Sequence, residues 1–154
     1  MKNKSHLTAI ARKTLPTPVR WLREHSFLPP DNHKQYKILD YGCGKCFNIN
    51  PSHWVNYDPY YYPTKPRGKF DTILCTYVLC TIPSEHHSEI LKNIQSLLTK
   101  TGIAYISVRN DRPKQGWGIS KRGTYQGRAA KLDLPSLHSN SQYRIYYLTS
   151  TYHI

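Results

Sequence analysis

Apolar residues along this chain cluster in short runs separated by polar segments rich in glycine and proline, and the spacing within each run identifies its element. Residues 36–41, 70–75 and 103–108 are compact runs of strand length without strict alternation, the pattern of strands covered on both faces. Residues 54–57, ending against Asp58, form a further short strand, and residues 143–148 read as a final, antiparallel one. Ile90, Leu91, Ile94, Leu97 and Leu98 recur at helical spacing, with Ser84 as the expected N-cap and Gly102 as the expected C′ residue. A shorter helix is predicted from Thr17 as cap and Pro18 as first helical residue; Val19, Trp21 and Leu22 form its apolar side and Pro29-Pro30 its stop.

The connections are as informative as the elements. Asn48, Asn50, Pro51 and Ser52 favour a turn between the first two strands, where a nucleotide-binding unit normally has a helix. Residues 59–69 lead directly into the next strand. The predicted fold is α/β and Rossmann-like, with a mostly parallel sheet, a C-terminal antiparallel strand, a right-handed strand-helix-strand crossover, and some connecting helices shortened or missing. Residues 1–16 are expected to be a basic, loosely ordered arm, and residues 17–154 a single domain.

Candidate chemistry concentrates where the first strand ends, in Ile38-Leu39-Asp40-Tyr41-Gly42-Cys43-Gly44. Glycine at 42 and 44 permits positive φ and lets a ligand lie against the backbone. Asp58, at the end of the second strand, is placed to accept hydrogen bonds from ribose hydroxyls, and Asp40 to fix the loop or meet a cationic group. A glycine turn alone is a weak signal; its coupling to a second strand-end acid points to a nucleoside ligand.

Charge adds a partner to this picture. The chain has 22 Lys and Arg against 9 Asp and Glu, and the excess is unevenly spread. Residues 1–36 carry seven basic side chains against Glu24 and Asp31, and residues 105–131 carry seven against Asp111, whereas residues 37–104 hold seven against five. Two basic flanks around a near-neutral centre fit an anionic partner, nucleic acid foremost. Arg12, Lys13, Arg20, Arg109, Arg112, Lys121, Arg122 and Arg128 are the candidate phosphate contacts. Tyr60, Tyr61, Tyr62 and Trp117 are candidates to stack on a base.

At 154 residues the chain can bury roughly 70% of its unfolded surface, so a core needs no staples. No apolar run reaches the roughly 18–20 residues of a bilayer span and no signal-peptide core is recognisable, so a cytoplasmic protein is expected. The four cysteines then read as thiols. Cys43 and Cys46 form a CxxC, but they lie in the ligand loop, and no metal site is predicted.

Taken together, these motifs resemble a reduced class I S-adenosylmethionine-dependent methyltransferase, with motif I at residues 38–44, the ribose acid at Asp58 and motif IV at residues 70–79. They are more similar still to the methyltransferases associated with DNA phosphorothioation clusters and their small phage-borne relatives. Those carry a segment like Leu7-Thr8-Ala9-Ile10-Ala11-Arg12 and a Pro-x-x-x-Leu helix, here Pro18 to Leu22, before motif I. They also carry an Asp-Pro-Tyr, here Asp58-Pro59-Tyr60, and a later element that is Gly123-Thr124-Tyr125-Gln126 in this chain. The resemblance implies S-adenosylmethionine as cofactor, held by Asp40, Tyr41, Gly42, Cys43, Gly44, Asp58, Pro59, Tyr60 and Cys75. It places Thr76 and Tyr77 where the methyl group meets its acceptor, with His86 and His87 as candidate bases, and implies a bacterial or phage-infected cytoplasm.

Two departures stand out. Cys46 replaces the third glycine of the usual GxGxG, and the following helix is cut short. Alongside a methyltransferase of nucleic acid, the sequence therefore admits a non-catalytic nucleoside- or nucleic-acid-binding module on the same scaffold, and a small-molecule enzyme using the same cofactor.

Overall fold

A computed structural model describes residues 4–46, 48–111, 118–119, 124–126 and 131–154. Six strands form one sheet: β1 (Ile38–Tyr41), β2 (Val55–Tyr57), β3 (Phe70–Thr76), β4 (Leu98–Arg109), β7 (Ser136–Ser139) and β8 (Tyr143–Thr149). Their spatial order is β2-β1-β3-β4-β8-β7. The first four are parallel, β8 runs antiparallel to β4, and β7 closes the edge as a hairpin with β8. Strands β5 (Gly118–Ile119) and β6 (Tyr125–Gln126) pair as a separate small hairpin. Among the described residues no helix is long and apolar enough to cross a membrane.

Both sheet faces are covered, which explains why the strands lack strict alternation. Leu39, Ile73, Cys75, Ala104, Ile106 and Leu148 pack with Leu91 and Ile94 of helix α2 (His87–Ser96) on one face. Ile38, Leu74, Tyr105 and Ile145 pack with Val19 and Leu22 of helix α1 (Thr17–Glu24) on the other. Neighbouring residues of one strand thus serve opposite layers.

Helix boundaries differ from the sequence reading for identifiable reasons. Pro16, not Thr17, precedes the first helical residue, and Pro18 sits in the first turn, where a missing N–H is harmless. The helix stops well before Pro29-Pro30. Ser26 takes φ 62°, and the N–H groups of Ser26 and Phe27 donate to the carbonyls of Arg23 and Leu22 at 3.2 and 2.9 Å. That is a Schellman ending built without glycine.

Ser84 makes no capping hydrogen bond; a single 3-10 turn over Ser84–His86 leads into α2. Leu97 is the C-cap of α2, and Leu98 already belongs to β4, so Gly102 is not a helix terminator. Phe70 pairs with Leu98 but Thr72 with Ile103, so β4 carries extra residues at this point. A Cβ at Gly102 would lie 2.8 Å from the Phe70 carbonyl oxygen, and the glycine is needed for that close approach. Strand β7 went unrecognised in the sequence because Ser136-Leu137-His138-Ser139 is a short, polar edge strand.

With α1 supplying the helical cover of its face, Leu22→Ala, at a site 1% exposed, should destabilise the protein by about 2–5 kcal/mol. Urea unfolding with an unchanged slope and a lower midpoint is the expected result.

Candidate functional site

The chain leaves β1 towards β2 on one side and then returns to place β3 on the other, so the strand order reverses at β1. In open α/β sheets the crevice at the carboxyl ends of such strands is where ligands bind. A cavity of about 1030 Å³ lies there, walled by Asp40 to Cys46, Asn50, Asp58 to Tyr60, Thr76 to Val78, the start of α2 and Arg109.

The glycine loop is held from β2. Gly42 and Cys43 donate their N–H groups to the Tyr57 carbonyl at 2.7 and 3.0 Å, and Gly44 donates to Asp58 Oδ2 at 3.0 Å. Gly42 has φ 77° and Gly44 φ 59°, and a Cβ on Gly42 would come within 2.3 Å of Val78 Cγ2. Asp58 Oδ1 accepts from the N–H groups of Tyr60 and Tyr61 at 2.9 and 3.0 Å. The second strand-end acid therefore joins two loops through three backbone donors, leaving acceptor capacity mainly on Oδ2.

Asp40 is held differently. Its Oδ2 accepts from Asn50 Nδ2 at 2.7 Å, and the same amide nitrogen reaches Asn56 Oδ1 at 2.8 Å. Burial, reinforced by the nearby charge of Asp58 and only partly offset by Asn50, pushes its carboxyl up to about 6. A desolvated carboxylate on a cavity wall is stabilised by a cationic ligand group.

All four cysteines are free thiols. The hydrogen bond from Cys43 to Cys46 raises the first thiol and lowers the second. Cys75, expected from the resemblance to meet the cofactor, is fully buried in β3 and does not line the cavity. Thr76, the last residue of β3, and Tyr77, just beyond it, reach the cavity where the strand ends. No group of three or more His, Cys, Asp or Glu side chains among the described residues could hold a metal ion.

Tyr77 follows β3 at φ 60°, held by donation of its N–H to the Ser107 carbonyl at 2.9 Å. Such a conformation in a bulky residue persists only where its surroundings fix it. The guanidinium carbons of Arg12 and Arg109 lie 5.9 and 5.6 Å from its ring centroid. Burial pushes its phenol up to about 12, with the two arginines pulling the other way, so it stays protonated at neutral pH.

Residues 4–12, expected to be a loose arm, form part of the cavity wall. A 3-10 turn spans Ser5–Thr8. His6 stacks on Tyr60 with ring centroids 3.9 Å apart, its carbonyl accepts from the Tyr61 hydroxyl at 3.1 Å, and a Cβ on Gly44 would lie 3.3 Å from that of Ala9.

The basic candidates do not form one cluster. Arg12 and Arg109 reach the cavity, Arg109 paired with Asp111. Lys13 and Arg20 are exposed, Arg20 donating to Thr17 Oγ1 at 3.2 Å. Arg112, Lys121, Arg122 and Arg128, with Trp117 and Gly123, lie outside the described residues. Of the paired histidines, His87 is buried and donates from Nε2 to the Ile82 carbonyl at 2.7 Å, whereas His86 is exposed on the cavity rim. Tyr125, in the Gly-Thr-Tyr-Gln element, lines the cavity. Sequence reasoning missed Asn50 and His6 as site residues. Asn50 carried only a turn signal, and His6 acts through a contact far along the chain.

The model of a methyltransferase domain family matches residues 13–144. No curated protein matches the chain. Among solved structures, 1,6-didemethyltoxoflavin-N1-methyltransferase from Burkholderia thailandensis, with bound S-adenosylhomocysteine, is 13% identical with a TM-score of 0.52, over 85% of this chain and 76% of that one. The magnesium protoporphyrin IX methyltransferase of Synechocystis PCC 6803 is 17% identical with a TM-score of 0.46, over 85% and 79%. PKMT2 from Rickettsia typhi is 23% identical with a TM-score of 0.38 over 58% of this chain, which spans only about a quarter of that protein (23%). The family match covers most of the sequence: the chain belongs to the methyltransferase domain family.

Proposed function

We propose that this protein is an S-adenosylmethionine-dependent methyltransferase that transfers the methyl group to an acceptor in nucleic acid by direct in-line displacement. The observation that carries the reading is the cavity at the strand-order reversal, lined together by the glycine loop, Asp58, Thr76 and Tyr77. Its residues fit the cofactor: a close backbone approach at Gly42 and Gly44, an acceptor on Asp58 Oδ2, and a desolvated Asp40 to meet positive charge. The nucleic-acid acceptor is supported by the net charge of +13 and by the resemblance to phosphorothioation-associated methyltransferases.

The bound cofactor supplies an electrophilic methyl group that needs no further activation. The residues of the chain therefore act by placement. Gly42 and Gly44 give the backbone surface, Asp58 fixes that surface to the loop after β2, and protonated Tyr77 donates a hydrogen bond to the acceptor. Glu85, His86 and Glu89 line the same cavity and provide groups to take a proton from an acceptor that must lose one. The alternative, a binding module without catalysis, is favoured by one feature: the N–H groups of Gly42, Cys43 and Gly44 are all engaged within the protein.

Calorimetry with S-adenosylhomocysteine, followed by transfer of labelled methyl to DNA and RNA, tests the reading. Binding without transfer to either polymer would leave the binding module standing; no binding at millimolar ligand would remove both cofactor and enzyme. Asp58→Ala should weaken S-adenosylhomocysteine binding at least about tenfold, and cost about 1.5–3 kcal/mol of stability because it strands three loop donors. Unchanged stability in that variant would contradict the role given to the carboxylate.

The Asp40 carboxyl has a folded value near 6 against an ordinary 3.8. The raised value means that its contribution to stability is full below the ordinary value and is lost as pH rises through 6. Cationic ligand requires the ionised form, so S-adenosylmethionine affinity should rise from pH 5 to pH 7 with proton release on binding. Asp40→Asn should flatten that rise and make the ligand-free protein more stable at pH 8, both readable by calorimetry.

A further inference from the structure

Two arginines from distant parts of the chain meet over one strained tyrosine. Arg12 comes from the N-terminal arm and Arg109 from the end of β4, and both lie within 6 Å of the Tyr77 ring centroid, at 5.9 and 5.6 Å. A guanidinium seated over an aromatic face keeps its N–H groups in its own plane, free to form a fork with an oxyanion. Arg109 already spends part of its fork on Asp111, through Nε at 2.8 Å and a second bond from Nη2. Arg12 makes no ion pair with a carboxylate among the described residues.

Of the other acids on the cavity wall, Asp40 is engaged by Asn50, Asp58 by three backbone N–H groups, and Glu85 lies beside His86 at 3.7 Å; neither Glu85 nor Glu89 forms an ion pair with either arginine. Asp40 and Asp58 thus stand at the glycine loop, Glu85 and Glu89 at the start of α2, and the guanidiniums at Tyr77. The position of Arg12 is not accidental to a loose chain end. The stack of His6 on Tyr60, the bond from Tyr61 to the His6 carbonyl and the packing of Ala9 on Gly44 dock the arm on the glycine loop and on the loop after β2.

We propose that Arg12 and Arg109, seated on Tyr77, form an oxyanion subsite that holds a phosphate group of the methyl acceptor, and that docking of the N-terminal arm completes it. The inference rests on the nucleic-acid methyltransferase reading for the source of that phosphate and on the geometry alone for the subsite. Phosphate at this position would fix the acceptor relative to Thr76 and Tyr77, beside the part of the cavity assigned to the cofactor. Arg12 is a binding and positioning residue in this scheme, with no part in bond making.

The test uses the full chain, as wild type, Arg12→Ala and Arg12→Lys. Anisotropy of labelled single-stranded DNA and RNA of mixed sequence is followed between 50 and 200 mM salt, a range over which phosphate contacts are read out strongly at about these concentrations. Inorganic phosphate is titrated in parallel while the Nε–H resonances of Arg12 and Arg109 are observed by NMR. Arg12→Ala should weaken oligonucleotide binding about tenfold and lower the salt slope by about one, and Arg12→Lys should recover only part of the loss. S-adenosylhomocysteine affinity should stay within about twofold throughout.

Wild-type binding to oligonucleotides that is unaffected by Arg12→Ala overturns the subsite and leaves the nucleic-acid reading intact. Phosphate-induced shifts at Arg12 and Arg109, without oligonucleotide binding, support the subsite and transfer it to a small phosphorylated acceptor, overturning the nucleic-acid reading. A parallel loss of S-adenosylhomocysteine affinity in Arg12→Ala overturns the subsite by assigning Arg12 to the cofactor.

Discussion

The site depends on how the glycine loop is fastened. Residues 42–54 join two parallel strands with no helix among the described residues, although a parallel connection ordinarily uses about a dozen or more residues wound into one. The helix that usually follows such a loop would give it a fixed terminus. Here β2 supplies the anchor instead: the Tyr57 carbonyl takes two N–H groups and Asp58 takes a third. Because Asp58 also holds Tyr60 and Tyr61, one carboxylate sets the loop after β1 and the loop after β2 together. Reduction of the fold was thus compatible with a defined cavity, at the cost of engaging donors and acceptors that a ligand would otherwise meet.

Much of the sheet was legible because burial on both faces leaves dense apolar runs. Phe70 to Thr76 and the core part of β4 could be recognised from composition alone, and the glycine spacing located the loop. What was hidden depends on non-local fit. Gly102 has the right spacing for a helix terminus, yet the Phe70 carbonyl opposite it explains its presence. Ser26 ends a helix in a conformation usually left to glycine, so proline was taken for the stop.

The same division runs through the site. Asp40, Gly42, Gly44 and Asp58 lie close together in sequence and share one loop system, so their association could be read from the chain. The convergence of Arg12, Tyr77 and Arg109 could not, because no local pattern relates an arm residue to the end of β4. Cys75 shows the opposite case. It adjoins Thr76 in sequence, but the two-residue repeat of a strand turns its side chain into the core.

Docking of the arm also has a temporal meaning. Residues 4–12 help to close the cavity, yet their partners lie far along the chain: the bond from Tyr61 reaches back 55 residues to His6, and Arg109 stands at the end of β4. Contacts of such long range repay their loop-closure cost only after the intervening structure exists. The sheet must therefore assemble before the arm has a surface to rest on, and the arm is the last of these segments to find its place.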